Sequence, residues 1–166
     1  MGLRTILLKE DPLLRKTSRP VTEFGKRTHD LMDDLRETMV SANGAGLAAP
    51  QVGILRRAVV IVRDDEIVEL INPEILEQSE ETVGAYEGCL SCPDMRGYIE
   101  RPVRVVVKAQ DRNGKEFTLE CRDMAARAAL HETDHLNGKL FIDLADQIFT
   151  DEELDEMFAE QEEENE

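Results

Sequence analysis

The pentapeptide His131-Glu132-Thr133-Asp134-His135 contains the side chains of this sequence that are best suited to chemistry. On a helix, residues four apart lie on one face, so the two imidazoles would point the same way with Glu132 one step round. Such a pair binds a divalent metal, and the adjacent carboxylate can act as a general base. The pentapeptide takes two of the three histidines in the sequence, and the third, His29, lies on another predicted helix.

The class of enzyme depends on a third metal ligand, because a catalytic metal usually takes three protein ligands and leaves one position for water. The H-E-x-x-H-x-x-G-x-x-H metalloprotease pattern is not met, since Gly138 is in place but Phe141 stands where a third histidine is required. A protease with a downstream glutamate could use Glu152 or Glu153. Both lie in a polar tail with little apolar sequence to hold them rigidly.

Cysteines provide the other candidates for the third ligand. Cys89 and Cys92 formally make a Cys₂His₂ zinc set with the two histidines, but the pairs of a zinc finger are usually separated by about 12 to 15 residues. Here a complete predicted hairpin separates the two pairs, and a structural site has no use for Glu132. The remaining arrangement has Cys89 as a single thiolate ligand and Cys92 as a small apolar residue, which leaves an open position for water.

Two amphipathic stretches are predicted to form helices. The first runs from about Lys26 to Ser41, where apolar residues recur at three- and four-residue spacing and Asn43-Gly44 supplies a C-cap. The second runs from about Met124 to Leu136, with Asp123 as N-cap and Gly138 just past its end. This second helix would carry the pentapeptide.

Two hairpins are predicted from β-branched runs. Residues 57–63 and 67–71 flank the turn Asp64-Asp65-Glu66. Residues 103–109 and 116–120 flank Asp111-Arg112-Asn113-Gly114, where Asn-Gly favours a tight turn. Between the hairpins, residues 73–85 are strand-like, whereas the stretch up to residue 21 lacks a clean period and is expected to be loop-like.

The stretch Gly44-Ala45-Gly46-Leu47-Ala48-Ala49 formally fits a dinucleotide-binding fingerprint, but its context excludes that interpretation. The fingerprint needs a strand before it and a helix opening from it, whereas here a helix precedes and Pro50 blocks continuation. The glycines would instead let the backbone approach a ligand or another strand closely. Gln51 leaves an amide at the end of the loop.

Charge and composition limit the partners. The net charge is −16, but ten of the 36 acidic residues lie in segment 151–166, and the other 26 acids against 20 bases leave −6. A chain this acidic should not hold DNA or RNA phosphates by bulk electrostatics.

No apolar run approaches the ~18 residues that span a bilayer, and the apolar stretch at the N-terminus is too short for a secretory signal. Three cysteines, an odd number, indicate a reducing compartment. We therefore expect a cytoplasmic monomer with neither DNA nor a membrane as partner.

Three motifs together resemble peptide deformylase in order and approximate spacing. They are the stretches 44–51, Glu87-Gly88-Cys89-Leu90-Ser91 and the histidine pentapeptide. The resemblance runs from near the N-terminus to about Asp143. It implies an α+β fold in which antiparallel β-sheets pack around a central metal-motif helix, with an N-terminal amphipathic helix. It also implies removal of the N-formyl group from the initiator methionine of nascent polypeptides, which the protein would meet in transient encounters with the ribosome.

The resemblance assigns roles to seven residues. The metal ligands are implied to be Cys89, His131 and His135, with Glu132 as acid and base. Gln51 and the backbone N–H of Leu90 correspond to oxyanion donors, and Gly46 corresponds to a backbone contact with the peptide. The cofactor is implied to be one divalent ion, with Fe²⁺ expected physiologically, although this ligand set also accepts Zn²⁺, Ni²⁺ or Co²⁺. Members often differ from this chain at Leu130 and Cys92, which affects pocket detail.

The chain is expected to be one catalytic domain, residues 1–146, followed by an acidic tail, residues 147–166. The tail should form a short frayed helix with a single apolar stripe of Leu154, Met157 and Phe158, and should be solvated rather than bound to a partner. Deleting residues from Thr150 onward should then leave activity on short peptides intact. A binding or scaffold protein that merely retains the metal site is the other functional class, and Glu132 with Gln51 argues against it.

Overall fold

The computed structural model describes residues 2–165, in which antiparallel strands and three helices form an α+β fold. Two sheets are present in this part of the chain, and the predicted fold class is confirmed. The helices are α1 (Lys26–Ser41), α2 (Met124–Leu136) and α3 (Asp151–Glu164). The strands are β1 (Gly46–Ala48), β2 (Ala58–Arg63), β3 (Glu66–Gln78), β4 (Thr82–Cys89), β5 (Cys92–Pro102), β6 (Arg104–Gln110), β7 (Glu116–Arg122) and β8 (Ile148–Phe149).

Helix α2 packs between the two sheets. The larger sheet has the strand order β1-β2-β3-β6-β7, and the smaller has the order β4-β5-β8. Alanines on α2, including Ala126 and Ala129, pack into an apolar cluster with Val59, Ile61 and Val107 of the larger sheet. The helix also contacts β5 of the smaller sheet. The two histidines are thereby held on a helix that is covered on both sides.

Helix α1 covers the other face of β2 through a second apolar cluster, which contains Leu31, Met32, Leu35 and Met39. Its C-terminus ends in a Schellman motif, because the N–H groups of residues 43 and 44 donate to the carbonyls of residues 40 and 39. Asn43 takes the left-handed conformation, with φ 56°. Asparagine, rather than the glycine after it, therefore turns the chain.

Helix α2 begins and ends where the sequence predicts. Asp123 is the N-cap, although its side chain makes no capping hydrogen bond. The C-terminus is a second Schellman motif, with N–H bonds from Gly138 to the His135 carbonyl and from Lys139 to the Asp134 carbonyl. Gly138 has φ 73°, and a Cβ there would lie 2.4 Å from the Arg15 carbonyl oxygen. Only glycine fits this end of the metal-motif helix.

Both predicted hairpins are present, with different turns. Asp64 and Asp65 both have positive φ, so the first turn is a two-residue type I′ turn. The second loop is longer than a two-residue turn, and the Asp111 carboxylate holds it by accepting from the N–H groups of Asn113 and Lys115. Gly114 takes the positive φ there.

The region between the hairpins differs from the expectation of one strand-like stretch. Strand β3 continues to Gln78, β4 starts at Thr82, and β5 pairs with β4 along its length. Strand β5 had no predicted counterpart, because Pro93, Asp94 and Gly97 interrupt its apolar alternation. The Leu90-Ser91 turn therefore joins two paired strands.

The N-terminal segment is extended as expected, apart from a 3-10 turn at Pro12–Arg15. Gly2 N–H and Arg4 Nε donate to the buried Asp34 carboxylate at 2.7 and 2.8 Å. Further along, Leu7 N–H donates to the Gln51 carbonyl and Lys9 N–H to the Ser91 carbonyl. The segment is thus fastened first to α1 and then to the loops around the site.

The C-terminal segment is more closely attached than a boundary at residue 146 implies. Strand β8 pairs with β5 at Gly97 and Arg96. Helix α3 follows, with Thr150 as its N-cap, and Leu154 is only 7% exposed. The helix spans 14 residues, so it is not short. No helix among residues 2–165 is long and apolar enough to cross a membrane.

Candidate active site

The predicted metal ligands lie together. Cys89 ends β4, and His131 and His135 lie one turn apart on α2. One ligand atom from each of the three residues lies within 4.8 Å of the others. The Cys89 Sγ is 3.4 Å from the His135 Nε2. Both histidines are buried, and Cys89 is half-buried.

His131 is oriented by a buried carboxylate. Its Nδ1 lies 2.5 Å from Glu87 Oε1, so the other ring nitrogen, Nε2, is left for the site. Arg101 donates to both oxygens of Glu87 at 3.0 and 2.6 Å, and Arg127 donates to it at 2.8 Å. Burial alone would raise the pKa of Glu87, but the bonds from His131 and Arg101 outweigh it and lower the pKa to about 2. Glu87 is therefore a carboxylate that holds the ring as second partners of metal-binding histidines commonly do.

Sequence reasoning gave no role to Glu87, Arg101 or Arg127. Glu87 is the first residue of the motif that contains Cys89, and this position next to a predicted ligand could have indicated a role in the site. The two arginines are brought to Glu87 only by the pairing of β4 with β5 and by the packing of α2. No local pattern in the sequence marks them.

Glu132 lies beside the cluster and is 5% exposed. Its Oε1 has no hydrogen-bond partner among residues 2–165, and it is 4.0 Å from the His135 Nε2. Burial raises the pKa of Glu132 to about 7. A carboxyl group that titrates near neutral pH can both take and return a proton.

His135 is also buried without a partner on its Nδ1 among the described residues. Burial lowers the pKa of His135 to about 3. The imidazole is therefore neutral at pH 7, which is the form that binds a metal.

Gln51 is held so that its amide nitrogen faces the cluster. The Ala48 N–H donates to Gln51 Oε1 at 2.9 Å, which fixes which end of the amide points away. Gln51 Nε2 lies 3.0 Å from Ser91 Oγ and 3.5 Å from Cys89 Sγ. The amide thus presents N–H groups beside the predicted third ligand.

An open cavity of about 290 Å³ lies against the cluster. The structure brings all seven predicted site residues to this place, since those that are not ligands line the cavity or, like Glu132, reach it from α2. His29 is not among them, and its Nε2 contacts the Arg112 carbonyl instead. The cavity wall includes Gly46, Gln51, Tyr86, Leu90, Arg96 and Arg127.

The donor set fits a divalent metal. Two imidazoles and one cysteine sulfur converge at a spacing that one ion can bridge, and each comes from a regular element or its end. The set leaves room for water on the side of the cavity, as in catalytic rather than structural sites. Glu132 also lines the cavity, and its Oε1 has no hydrogen-bond partner among residues 2–165.

Known proteins that are similar to this chain in sequence are peptide deformylases. A model of the family described as polypeptide deformylase matches residues 3–150. A peptide deformylase of Caldicellulosiruptor bescii is 52% identical over 156 residues, which cover 94% of this chain and 93% of that protein. Peptide deformylase 1 of Clostridium acetobutylicum is 54% identical over 143 residues, which cover 86% of this chain and 95% of that protein.

Solved structures agree as well. The crystal structure of peptide deformylase from Thermotoga maritima superposes with a TM-score of 0.85 at 44% identity, over 87% of this chain and 99% of that one. A Met-Ala-Ser-bound peptide deformylase from Acinetobacter baumannii gives a TM-score of 0.82 at 34% identity, over 86% and 98%. This chain belongs to the polypeptide deformylase family of hydrolases.

Proposed function

We propose that this protein uses one divalent metal ion to remove the formyl group from N-formylmethionyl nascent peptides and to release formate. The observation that carries the proposal is the convergence of Cys89, His131 and His135 with the carboxyl group of Glu132 beside them. The relative from Acinetobacter baumannii was solved with Met-Ala-Ser, a peptide with the free amino terminus that deformylation would leave.

Glu132 is the proton carrier in this proposal. A divalent ion at the site would lower the pKa of a coordinated water and polarise the formyl oxygen. Glu132 takes the proton of the attacking water and then delivers it to the departing amine. Its burial and its pKa of about 7 support both steps, because the group can exist in either state at neutral pH.

Gln51 and Leu90 provide the donors for the oxyanion. The Gln51 amide nitrogen is fixed toward the cluster by the Ala48 N–H on its opposite end. Leu90 lies in the turn between β4 and β5, where its backbone N–H is next to the ligand Cys89. Donors placed before the reaction need no reorganisation as charge develops, which is why they stabilise the transition state.

The peptide would add to the free edge of β1. Strand β1 is the edge of the larger sheet and, among residues 2–165, pairs only with β2, and its Gly46 lines the cavity. Main-chain hydrogen bonds to such an edge bind an extended peptide with little regard to its sequence. This suits an enzyme that meets many different nascent chains, as a monomer and only transiently near the ribosome.

The decisive test is Glu132→Gln. The variant should bind as much metal as the unchanged protein, because the carboxylate is not a ligand in this proposal. Formate release from formyl-Met-Ala-Ser should fall by about 10²–10⁴-fold, because the acid and base are lost together. Joint loss of metal and activity would show that Glu132 is a ligand or a structural residue. A folded, metal-loaded unchanged protein that releases no formate would instead favour a scaffold.

The physiological ion is proposed to be Fe²⁺. Two imidazoles and one thiolate accept Zn²⁺, Fe²⁺, Co²⁺ and Ni²⁺, so affinity alone does not choose. A thiolate on iron beside an open position is exposed to oxygen, and Cys89 can then be oxidised. Protein reconstituted anaerobically with Fe²⁺ should be highly active and lose activity in air, whereas the Ni²⁺ or Co²⁺ form should keep it. Equal activity and equal air stability of the Zn²⁺ and Fe²⁺ forms would remove the case for iron.

A further inference from the structure

Ser91 lies in the turn between β4 and β5 and is fully buried. Its Oγ lies 3.0 Å from Gln51 Nε2, in a hydrogen bond that is itself buried. The other end of the same amide accepts from the Ala48 N–H at 2.9 Å. Gln51 is therefore held at its oxygen by the Ala48 N–H, while its nitrogen lies near two acceptors, Ser91 Oγ and, at the longer distance of 3.5 Å, Cys89 Sγ.

The backbones on either side of this contact are held by one segment. Leu7 N–H donates to the Gln51 carbonyl at 2.7 Å, and Lys9 N–H donates to the Ser91 carbonyl at 2.8 Å. Residues 7 and 9 lie two apart in the chain, so one short segment bonds the backbones of both Gln51 and Ser91. The serine hydroxyl and the glutamine amide are thus kept within hydrogen-bond distance from outside the cavity.

A primary amide has two N–H groups, and only one of them is needed by Ser91. We propose that Ser91 is a positioning residue for the oxyanion donor: its hydroxyl accepts one N–H of Gln51 and so directs the other toward Cys89 Sγ, 3.5 Å away, on the side of the cavity. The inference rests on the proposed role of Gln51 and extends it. A glutamine side chain has several rotatable bonds, so an unrestrained Gln51 would lose rotamer freedom in each turnover. Ser91 removes that requirement before substrate binds.

The test compares Ser91→Ala, Gln51→Ala and the double variant, all loaded with Ni²⁺ and assayed with formyl-Met-Ala-Ser. Ser91→Ala should lower kcat by about tenfold with little change in KM, the effect of one lost buried hydrogen bond. Gln51→Ala should lower kcat by about 10²–10³-fold, as loss of an oxyanion donor does. The double variant should be no slower than Gln51→Ala, because Ser91 acts only through that amide.

A matched control is available in Ser18→Ala. Ser18 is also buried, and its Oγ has no hydrogen-bond partner among residues 2–165. This variant removes a buried hydroxyl outside the site and should leave kcat unchanged. If Ser91→Ala does not fold, Ser91→Cys replaces it, since a thiol is a much weaker acceptor than a hydroxyl. Metal content and thermal midpoint are measured for every variant.

The outcomes separate the inference from the proposed function. A Gln51→Ala variant as fast as the unchanged protein would overturn the oxyanion role of Gln51 and the inference with it. A slow Gln51→Ala with an unimpaired Ser91→Ala and Ser91→Cys would overturn the inference alone. A double variant slower than Gln51→Ala by the full Ser91→Ala factor would also overturn it, because Ser91 would then act independently of Gln51.

Discussion

At the scale of single residues, Gly46 is important for the side chain it lacks. The resemblance to peptide deformylase implies that Gly46 makes a backbone contact with the peptide. In the structure, the side chain that a Cβ at this position would meet first is that of Glu132. A Cβ at position 46 would lie 2.6 Å from Glu132 Oε2 and 2.9 Å from its Cγ. These distances are shorter than van der Waals contact, so the absence of a side chain at position 46 makes room for Glu132, the proposed proton carrier.

Gly46→Ala should therefore push Glu132 away from the metal ligands. We expect a fall in kcat of up to about 10²-fold, as misplacement of a catalytic group by about 1 Å can cause. Metal content should be unchanged, because none of the ligands is displaced directly. The measurement is formate release at saturating peptide together with metal analysis.

Gly25→Ala is the control for that variant. An added Cβ at Gly25 meets no atom of the described part of the chain within 4 Å, and its φ of −98° is open to any residue. Its activity should equal that of the unchanged protein. If Gly46→Ala raised only KM, Gly46 would serve the peptide alone and the proposed packing against Glu132 would have no catalytic effect.

At the scale of elements, α3 departs most from expectation. Its apolar stripe was predicted to be solvated, yet Leu154 is buried and the Phe158 ring lies edge-on to Tyr86 at 5.8 Å between centroids. Asp151 Oδ1 is 3.4 Å from Arg96 Nε. Tyr86 and Arg96 both line the cavity, so the helix supports its outer wall. Residues 154 and 158 are four apart and share a face, which is enough for a mostly acidic helix to dock.

Phe158→Ala should raise KM for formyl-Met-Ala-Ser and leave kcat nearly unchanged. An aromatic pair contributes about 0.5–1.5 kcal/mol, so loss of the Tyr86 contact should change KM by about two- to tenfold. Removal of residues 150–166 should raise KM by at least this factor. This differs from the expectation from the sequence alone, in which the deletion leaves activity on short peptides intact. Both are checked by steady-state kinetics on folded, metal-loaded protein.

Glu160→Ala is the matched change on the same helix, at an exposed position about half a turn away from Phe158. It should leave KM unchanged. If the truncated protein and Phe158→Ala both kept the KM of the full chain, α3 would be a passive cover of β5 and the original expectation for the tail would stand.

At the scale of the whole molecule, the sequence is informative wherever the cause is local. The periods of α1 and α2, the ends of α2 and the positions of the hairpins all depend on neighbouring residues. The buried bonds of Arg101 and Arg127 to Glu87 depend instead on how β4, β5 and α2 meet. The contact of α3 with Tyr86 is of the same non-local kind, which is why an acidic tail gave no indication of it.

The candidate site follows the same division. Residue types and spacing are sufficient to group Cys89 and the two histidines when a family resemblance supplies the third ligand. They do not indicate that Gly46 packs on Glu132 or that Ser91 bonds Gln51, because these pairs are separated by 86 and 40 residues and meet only after the sheets form.

The hydrogen bonds from Leu7 to Gln51 and from Lys9 to Ser91 join the beginning of the chain to the candidate site, so they affect when the site of a new copy is complete. The site needs the beginning of the chain, its middle and α2, so contacts of long sequence separation must close before it exists, and such contacts form slowly. At about 5–20 residues per second of synthesis, roughly 6–26 s separate residue 7 from His135. During that interval the segment that will bond Gln51 and Ser91 has already been made, whereas the histidines have not. The candidate site of a growing copy is therefore incomplete until α2 has been made and has packed against β1 and β2.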